Sequence, residues 1–177
     1  MDKQNTHNMV SVLKFGTPIL LIAALFGACN SDKKSATSQT ASTPAATEPQ
    51  FKKEGIATLY SPAGDSIISL PIEIAETDAD RMQGMMYRTK VDAATGMLFL
   101  FDSAEPQSFW MKNTPSSLDI IFIGANGEIL NVHSYTTPFS EGQYPSAGSA
   151  NMVLETVGGY CKQHGIDKGC RLAFKRV

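Results

Sequence analysis

The segment from Phe109 to Asp119 carries the side chains best suited to binding a ligand. Within 11 residues it places an aromatic ring, a thioether, a cation, an amide, a hydroxyl and a carboxylate where a predicted strand gives way to a turn. Rigid scaffolds present binding groups at such strand ends. A flat indole beside cationic donors and an amide suits a small polar ligand such as a sugar or a peptide carboxylate. The predicted ligand-binding residues are Arg88, Trp110, Lys112, Asn113 and Asp119.

The same segment also has a structural interpretation. Asn113 and Asp119 would then hold the turn through hydrogen bonds from side chain to backbone, and Trp110 would belong to the core. The residue types fit both interpretations, so the sequence leaves the choice between a binding segment and a structural turn open.

Six methionines after residue 51 offer a different kind of site. Exported proteins use thioether sulfur to bind Cu(I), because the ligand and the ion are both soft. The candidate copper ligands are Met82, Met85, Met86 and His133, with Trp110 as a further member of the set. Methionines at positions i, i+3 and i+4 are more often a helix face packed on a core. The expectation is therefore a domain with no bound metal and no cofactor.

The sequence contains no motif of an enzyme class. A hydrolase elbow, a phosphate-binding loop and a pair of zinc ligands at fixed spacing are all missing from it. His133 and His164, the histidines of the predicted domain, have no histidine partner one helical turn away. The expected function is a ligand- or protein-binding module, with a periplasmic Cu(I)-binding protein or an uncharacterised enzyme as the alternatives.

The charge balance argues against a nucleic-acid partner. Lys and Arg number 15 and Asp and Glu number 17, which gives a formal net charge of −2. Proteins that bind nucleic acid usually carry a basic surplus that contacts phosphates, and this chain has none.

Short apolar runs separated by turn residues predict a mainly β domain. Apolar and polar residues alternate from Ile67 to Ile74, so one face of this strand should be buried. Pro71 indicates an edge or a bulge, because it cannot donate to a ladder. The predicted strands are Ile56–Tyr60, Ile67–Ile74, Met97–Phe101, Ser108–Lys112, Leu118–Ile123, Ile129–Tyr135, Asn151–Val157 and Cys170–Lys175.

Three local signals predict a turn and two helices. Asn126-Gly127 indicates a hairpin, because both residues tolerate positive φ. Thr77 offers an N-cap hydroxyl ahead of a short helix from Asp78 to about Met86. A second helical turn is expected between Gly158 and Gly165. The predicted fold is mainly β, a small sandwich or barrel of about eight short strands with one or two short helices.

Glu155 stands between two valines on one face of its predicted strand. A charge in such a place is costly unless it is compensated. Glu155 is therefore expected to be partly buried and paired with Arg88 or Arg81.

Residues 1–28 have the pattern of a secretory signal peptide. Basic residues precede an uncharged stretch of 14 residues from Phe15 to Ala28. This stretch is too short for a membrane span of about 20 residues and long enough for the apolar core of a signal peptide. It ends in Leu25-Phe26-Gly27-Ala28-Cys29, which resembles the lipobox of bacterial lipoproteins. The resemblance implies that Cys29 is acylated and becomes the new N-terminus.

Residues 29–50 are the acylated cysteine and a predicted disordered tether. Ser, Thr, Ala and Pro make up 14 of the 21 residues from Asn30 to Gln50, so the segment cannot bury enough area to fold. Residues 51–177 then form a single domain. The expected location is the bacterial cell envelope, with Cys29 in the lipid bilayer of the outer membrane and the domain facing the periplasm. The expected partner of the domain is a small polar ligand or an envelope protein.

Cys161 and Cys170 are predicted to form a disulfide. The cell envelope is oxidising, and Gly165 and Gly169 allow the chain between the two cysteines to double back. The alternative is a pair of free thiols, which would be buried as small apolar residues or would serve as soft metal ligands.

Five segments resemble, in their order, the family known as domain of unknown function 192. They are Gly84-Met85-Met86-Tyr87-Arg88, Gly96-Met97-Leu98-Phe99, Trp110-Met111-Lys112-Asn113-Thr114, Leu118-Asp119-Ile120, and Leu154-Glu155 with Gly158 or Gly159. The similarity spans Ile56 to Lys175 and implies a small, mostly β single domain of a kind that is often exported. Ser117 and Cys170 stand where the family commonly has Pro and Asp. The family has no established activity, so the resemblance implies a fold and no reaction.

Overall fold

The computed structural model of the protein describes residues 48–177. The predicted signal peptide, Cys29 and all but the last residues of the predicted tether lie outside the described residues. The described elements are β1 (Gly55–Tyr60), β2 (Ser66–Ala75), α1 (Asp78–Gln83), β3 (Gly96–Phe109), β4 (Leu118–Ile123), β5 (Ile129–His133), β6 (Tyr144–Val157), α2 (Tyr160–His164) and β7 (Arg171–Arg176). Neither of these two helices has the length or the apolar character to cross a bilayer.

The seven described strands form a single sheet in the order β5-β4-β6-β3-β2-β1-β7. Neighbouring strands are antiparallel except for β2 and β3, which run parallel and are joined by a connection that contains α1. The edge strands approach each other, because Glu128 forms a bridge with Arg171 and the Ile129 N–H donates to the Cys170 carbonyl at 2.8 Å. The sheet therefore curls into a half-barrel, which confirms the predicted mainly β fold.

β3 combines two of the predicted strands. The sequence predicts separate strands at Met97–Phe101 and Ser108–Lys112, whereas one strand runs through all of the first segment and ends at Phe109, the second residue of the other. Its pairing with β6 is interrupted between Leu100 and Glu105. A β-bulge bends a strand without ending it, so seven strands take the place of the eight predicted.

Alternate side chains of the sheet fill two separate cores. The first core draws side chains from all seven strands and from Tyr160 of α2, and it therefore lies inside the curl. The second core lies on the opposite face and includes Met85 and Met111 from the segments that follow α1 and β3. Every residue of β4 is buried, because this strand contributes to both cores.

α1 begins where the sequence predicts and ends earlier. The Thr77 hydroxyl accepts from the Asp80 N–H at 3.1 Å, and the Asp80 carboxylate accepts from the Thr77 N–H at 3.2 Å, which is a capping box. The helix ends at Gln83 because Gly84 adopts a φ of 44° and turns the chain. Met85 and the residue after it therefore lie in a turn, beyond the helix on which the sequence places them.

The predicted hairpin is confirmed. β4 and β5 pair through a turn at Asn126-Gly127, where Gly127 has a φ of 80°. A Cβ atom at Gly127 would lie 2.6 Å from the Leu172 carbonyl oxygen, so only glycine lets β7 approach the turn. Pro71 pairs with β1 alone, since the pairing of β2 with β3 starts at Ile72. One side of β2 is therefore unpaired with β3 at Pro71, which agrees with the edge position that the sequence predicts for this proline.

Cys161 and Cys170 are free, buried thiols, so the structure lacks the predicted disulfide. The Cys161 N–H donates to Asp119, and the Cys170 carbonyl accepts from Ile129, so backbone bonds hold the two cysteines beside different elements. Burial, followed by the charge of Asp119, raises the pKa of Cys161 and disfavours the thiolate that forms disulfides. Both cysteines pack in the first core, as in the alternative that treats them as small apolar residues.

Candidate functional site

A cleft of about 640 Å³ opens on the face of the sheet that carries the second core. Its walls come from α1 and the turn after it, from β3, and from the segment that follows β3. We call it the methionine cleft, and its defining residues are Met82, Met85, Met86, Phe99, Phe109, Trp110 and Glu155. The walls are mostly apolar. Polar side chains line the rim, and one acid lies at the floor.

Glu155 is placed at this floor by the register of the sheet. It lies on β6 and faces Met97 of β3 on one side and Ile120 of β4 on the other. Glu155 is 4% exposed, and within residues 48–177 its carboxyl group forms no ion pair and no hydrogen bond. Burial raises the pKa of Glu155 to about 8, although the charge of Arg88 opposes the increase. The cleft therefore contains a carboxyl group that is mostly protonated at neutral pH.

The burial of Glu155 agrees with the sequence, but its predicted pairing is wrong. Arg81 contacts Asp78 of its own helix at 2.5 Å. Arg88 lies 2.6 Å from the Oε2 atom of Glu73. Glu73 and Glu155 occupy one row of the sheet and are separated by a single strand. The row thus contains two buried acids, and Arg88 pairs with the one on β2.

Arg88 lines a smaller cavity of about 250 Å³ and not the methionine cleft. The residue is buried, its contact with Glu73 is not aligned as a hydrogen bond, and its Nε atom has no acceptor among residues 48–177. Glu73 also accepts from the Lys52 N–H at 2.9 Å. Removal of one member of a buried ion pair leaves the other uncompensated. Arg88 therefore contributes to stability and to the electrostatics of the cleft without lining it.

Three of the five predicted ligand-binding residues, Trp110, Lys112 and Asn113, line the cleft together. Trp110 is 43% exposed, so the alternative that places it in the core is wrong. The Lys112 Nζ atom lies 5.0 Å from the centre of the Trp110 ring and 3.8 Å from the carboxylate of Glu141. The Asn113 amide donates to the Met86 sulfur at 3.9 Å. The donors at the rim are thus already engaged within the protein.

Asp119, the fifth predicted residue, does not reach the cleft. It is fully buried. Its Oδ1 atom accepts from the Tyr135 N–H at 2.9 Å and from the Gly159 N–H at 2.8 Å, and its Oδ2 atom accepts from the Cys161 N–H at 2.8 Å. These bonds join β4 to the segment after β5 and to the start of α2. The structural interpretation of Asp119 agrees with this geometry.

The candidate copper ligands are not brought together in one place. Met82, Met85 and Met86 line the cleft, whereas His133 lies on β5 with its Nε2 atom 2.8 Å from the Pro145 carbonyl oxygen. Met82 is 76% exposed, and Met85 is buried in the second core. The described part of the chain contains no cluster of three or more His, Cys, Asp or Glu residues that could hold a metal ion.

Two exposed aromatic residues beside the rim have strained backbones. Tyr87, Asn113 and Phe139 adopt φ values of 64°, 56° and 58°. The Tyr87 N–H donates to the Asn113 carbonyl at 2.8 Å, and the Phe139 N–H donates to the Thr114 carbonyl at 3.0 Å. Bulky residues with such φ values are rare, and strain of this kind concentrates at ligand clamps. No pattern in the sequence marks these residues, so the sequence does not predict them.

The ligand-binding residues predicted from the sequence also do not include the apolar residues that form the walls of the cleft. Phe99 and Phe109 pack edge to face, with ring centres 5.0 Å apart. The only available signal is the alternation of strand residues, which assigns Phe99 to a face of its strand. The alternation does not show that Val153 and Glu155 of β6 share this face, because that depends on the register between strands.

Comparison with known proteins finds relatives with this fold. The profile of domain of unknown function 192, described as an uncharacterized ACR, matches residues 61–174. A protein from Sinorhizobium meliloti 1021, provisionally described as a transcription regulator, has a crystal structure with a TM-score of 0.66 and 33% identity. The match covers 71% of this chain and 98% of that protein. The comparison with curated proteins finds no match.

A second crystal structure, of a protein of unknown function from Novosphingobium aromaticivorans DSM 12444, is also 33% identical. Its TM-score is 0.63, and the match covers 67% of this chain and 83% of that protein. The family profile spans more than half of the chain and includes every defining residue of the methionine cleft. The resemblance carried by the five sequence segments is thereby confirmed: the chain belongs to the family known as domain of unknown function 192.

Proposed function

We propose that the domain binds a small ligand in the methionine cleft and that acylated Cys29 holds it at the bacterial cell envelope. The observation that carries the first part is a cleft of about 640 Å³ with, at its floor, a carboxyl group that has no partner among residues 48–177. Ligand sites typically have volumes of roughly 300–1,000 Å³, apolar walls and a few placed polar groups. The methionine cleft has all three properties.

The walls favour a ligand with an apolar body. Phe99 and Phe109 supply flat apolar surface, and the methionines supply flexible side chains that adapt to the shape of a ligand. The polar ligand that the sequence suggests depends in part on Arg88 and Asp119, which lie elsewhere. A ligand that is partly apolar and carries one polar group fits the observed lining better than a sugar does.

Trp110 provides a direct measure of binding. It is the only tryptophan in the chain, and it stands at the rim of the cleft. Titration with the neutral probe 2-phenylethanol should therefore change its fluorescence in a saturable way. Met82→Arg, a change in an exposed wall residue, should weaken this binding about tenfold by placing a charge in the cleft. Fluorescence titration of the full chain measures both effects.

Val177→Arg is the matched control. Val177 is also exposed, and it lies outside the lining of the cleft, so this variant should bind the probe as the wild type does. The proposal fails if 2-phenylethanol gives no saturable change, or if both variants bind it with the affinity of the wild type.

Lipid anchoring is tested separately at Cys29. The support for it is the apolar segment that ends in small residues and a cysteine, followed by a polar tether. Several acyl chains, at about 0.8 kcal/mol per buried CH₂, anchor a protein stably. Cys29→Ala should release the protein from membranes or block its processing, whereas Cys170→Ala should leave its location unchanged. Cell fractionation and intact-mass analysis check this, and a mature N-terminus at any other residue would contradict it.

Asn30 directly follows Cys29. A residue other than Asp at this position resembles the signal by which some bacteria send a lipoprotein to the outer membrane, so Asn30 supports the periplasmic face of that membrane as the location. Regulation of transcription, the role in the description of the Sinorhizobium protein, is not proposed for this chain. The chain has 15 basic and 17 acidic residues and therefore lacks the basic surplus typical of proteins that bind nucleic acid. A Cu(I) function is not proposed either, because His133 lies away from the methionines of the cleft.

A further inference from the structure

We infer that the methionine cleft selects ligands that carry a primary ammonium group on an apolar body, and that the Glu155 carboxylate binds this ammonium. The inference rests on the proposed function of the cleft and names the chemistry of its ligand. Three features carry it: the position of Glu155, the groups around it, and the contacts of the charged residues at the rim.

Glu155 is a buried polar group that faces the cleft and has no partner in the described part of the chain. It is 4% exposed and belongs to the lining, and no group among residues 48–177 forms a hydrogen bond with it. A buried carboxylate without a partner is costly, and a cation with several N–H donors removes most of that cost. A primary ammonium supplies a full charge and three donors.

Four of the side chains that line the cleft with Glu155 cannot supply a donor. Met85, Met86, Phe99 and Phe109 have no N–H or O–H group in their side chains, and no donor of residues 48–177 forms a hydrogen bond with Glu155. Aromatic rings attract cations, and thioether sulfur is a weak acceptor. The ligand must therefore bring the donor, and a cationic donor is attracted by the walls as well as by the floor.

The charged residues at the rim are already paired. Arg81 contacts Asp78 at 2.5 Å, and Lys112 lies 3.8 Å from Glu141. An anionic ligand would compete with these contacts, whereas an ammonium at the floor displaces none of them. A hard divalent ion does not suit the floor, because Ca²⁺ and Mg²⁺ take six or more oxygen ligands.

Binding of the ammonium should release a proton. In the free protein, burial raises the pKa of Glu155 to about 8 against the opposing charge of Arg88, so at pH 7 most molecules retain the carboxyl O–H bond. That bond breaks when the ammonium docks, the carboxylate pairs with the ammonium, and the proton passes to solvent. The affinity should therefore rise up to about tenfold per pH unit between pH 6 and 8.

Among residues 48–177 the charge that acts on the pKa of Glu155 is that of Arg88, and no histidine acts on it. The charged groups on the elements packed around it are Asp78, Arg81, Lys112, Arg88 and Glu73, while β3 and β4 present the uncharged Met97 and Ile120. Asp78 and Glu73 are paired with Arg81 and Arg88. Glu155 is the group whose raised pKa of about 8 makes it change its charge between pH 6 and 8.

The test compares three probes of similar size on the full, acylated chain in detergent: 2-phenylethylamine, 2-phenylethanol and phenylacetate. Trp110 fluorescence gives the three affinities. At pH 8 the amine should bind at least about tenfold more tightly than the alcohol, and phenylacetate should bind most weakly. Calorimetry at pH 7 in two buffers of different ionisation enthalpy should show the release of about one proton per bound amine.

Glu155→Gln keeps the size of the side chain and removes its charge. In this variant the amine should bind no more tightly than the alcohol, and proton release should disappear. Glu105→Gln removes an exposed acid of β3 and should bind all three probes as the wild type does. The Gln variant is not expected to unfold, since Gln needs no compensating charge in a buried position.

Two outcomes overturn the inference while the proposed function stands. One is equal binding of the amine and the alcohol by the wild type, and the other is an amine preference that survives in Glu155→Gln. If none of the three probes changes Trp110 fluorescence, the proposed function fails and the inference fails with it. The alcohol therefore reports on the cleft as a binding site, and the difference between amine and alcohol reports on Glu155.

Discussion

Asp119→Ala should lower the free energy of unfolding by about 5 kcal/mol. The change removes a fully buried carboxylate that accepts the N–H groups of Tyr135, Gly159 and Cys161. Hydrogen bonds to a charged group contribute about 1.5–3 kcal/mol each, and the three N–H groups would lose their acceptor. Urea denaturation measures the loss. Hydrogen exchange should be accelerated first at the Cys161 amide, where α2 begins.

Asp119→Asn separates the hydrogen bonds from the space that the side chain fills. An asparagine oxygen in place of Oδ1 keeps two of the three bonds, while an NH₂ group in place of Oδ2 faces the Cys161 N–H. The loss of stability should be about half of that in the Ala variant. Equal losses in the two variants would contradict the role of Asp119 as a triple acceptor.

Glu155→Gln should stabilise the protein at pH 8 by about 4–5 kcal/mol relative to the wild type and have little effect at pH 4. Burial raises the pKa of Glu155 from 4.5 to about 8 in the folded state. Below pH 4.5 the carboxyl is protonated in both states. Between pH 4.5 and 8 the unfolded chain ionises while the folded chain keeps its proton. The stability of the wild type therefore falls by about 1.4 kcal/mol per pH unit.

Chemical denaturation at pH 4, 6 and 8 tests this slope. Glutamine does not ionise, so the decrease that Glu155 causes should be missing from the Gln variant. Glu105→Gln, which changes an exposed acid, should follow the wild-type profile. Parallel profiles for the wild type and Glu155→Gln would mean that Glu155 is solvated in the folded protein.

The features that the sequence predicts correctly are set by neighbours along the chain. Asn126-Gly127 forms its hairpin because its two residues accept the required φ values. Thr77 and Asp80 cap α1 through bonds that close within four residues. The alternation of β6 places Leu154 in one core and Val153 in the other, as a period of two requires.

The features that it predicts incorrectly depend on contacts between distant segments. The sequence predicts that Arg88 pairs with an acid. Only the register of β2, β3 and β6 shows that Glu73 and Glu155 lie in one row of the sheet and compete for Arg88. α1 ends early at Gly84, where a Cβ atom would lie 3.2 Å from the Phe99 ring. The spacing of Cys161 and Cys170 does not show which way their side chains point.

The residues of the candidate site also fall into those set by a single segment of the chain and those set by contacts between distant segments. Trp110, Lys112 and Asn113, which line the cleft, come from one short segment, and their residue types alone mark them as candidates. The walls and the floor come from α1, β3 and β6, so no single stretch of sequence contains the cleft. Glu155 is visible in the sequence as a misplaced charge, but its role in the cleft depends on which strands surround it.

The bridge between Glu128 and Arg171 also affects how copies of the protein behave when they are crowded together. A free sheet edge exposes N–H and C=O groups that can recruit a strand from another chain and start aggregation. The bridge covers the first residues of both edge strands. The rest of β7 carries Lys175 and Arg176, whose charges oppose strand addition. The protein should therefore stay dispersed at local concentrations at which an open sheet of this size would polymerise.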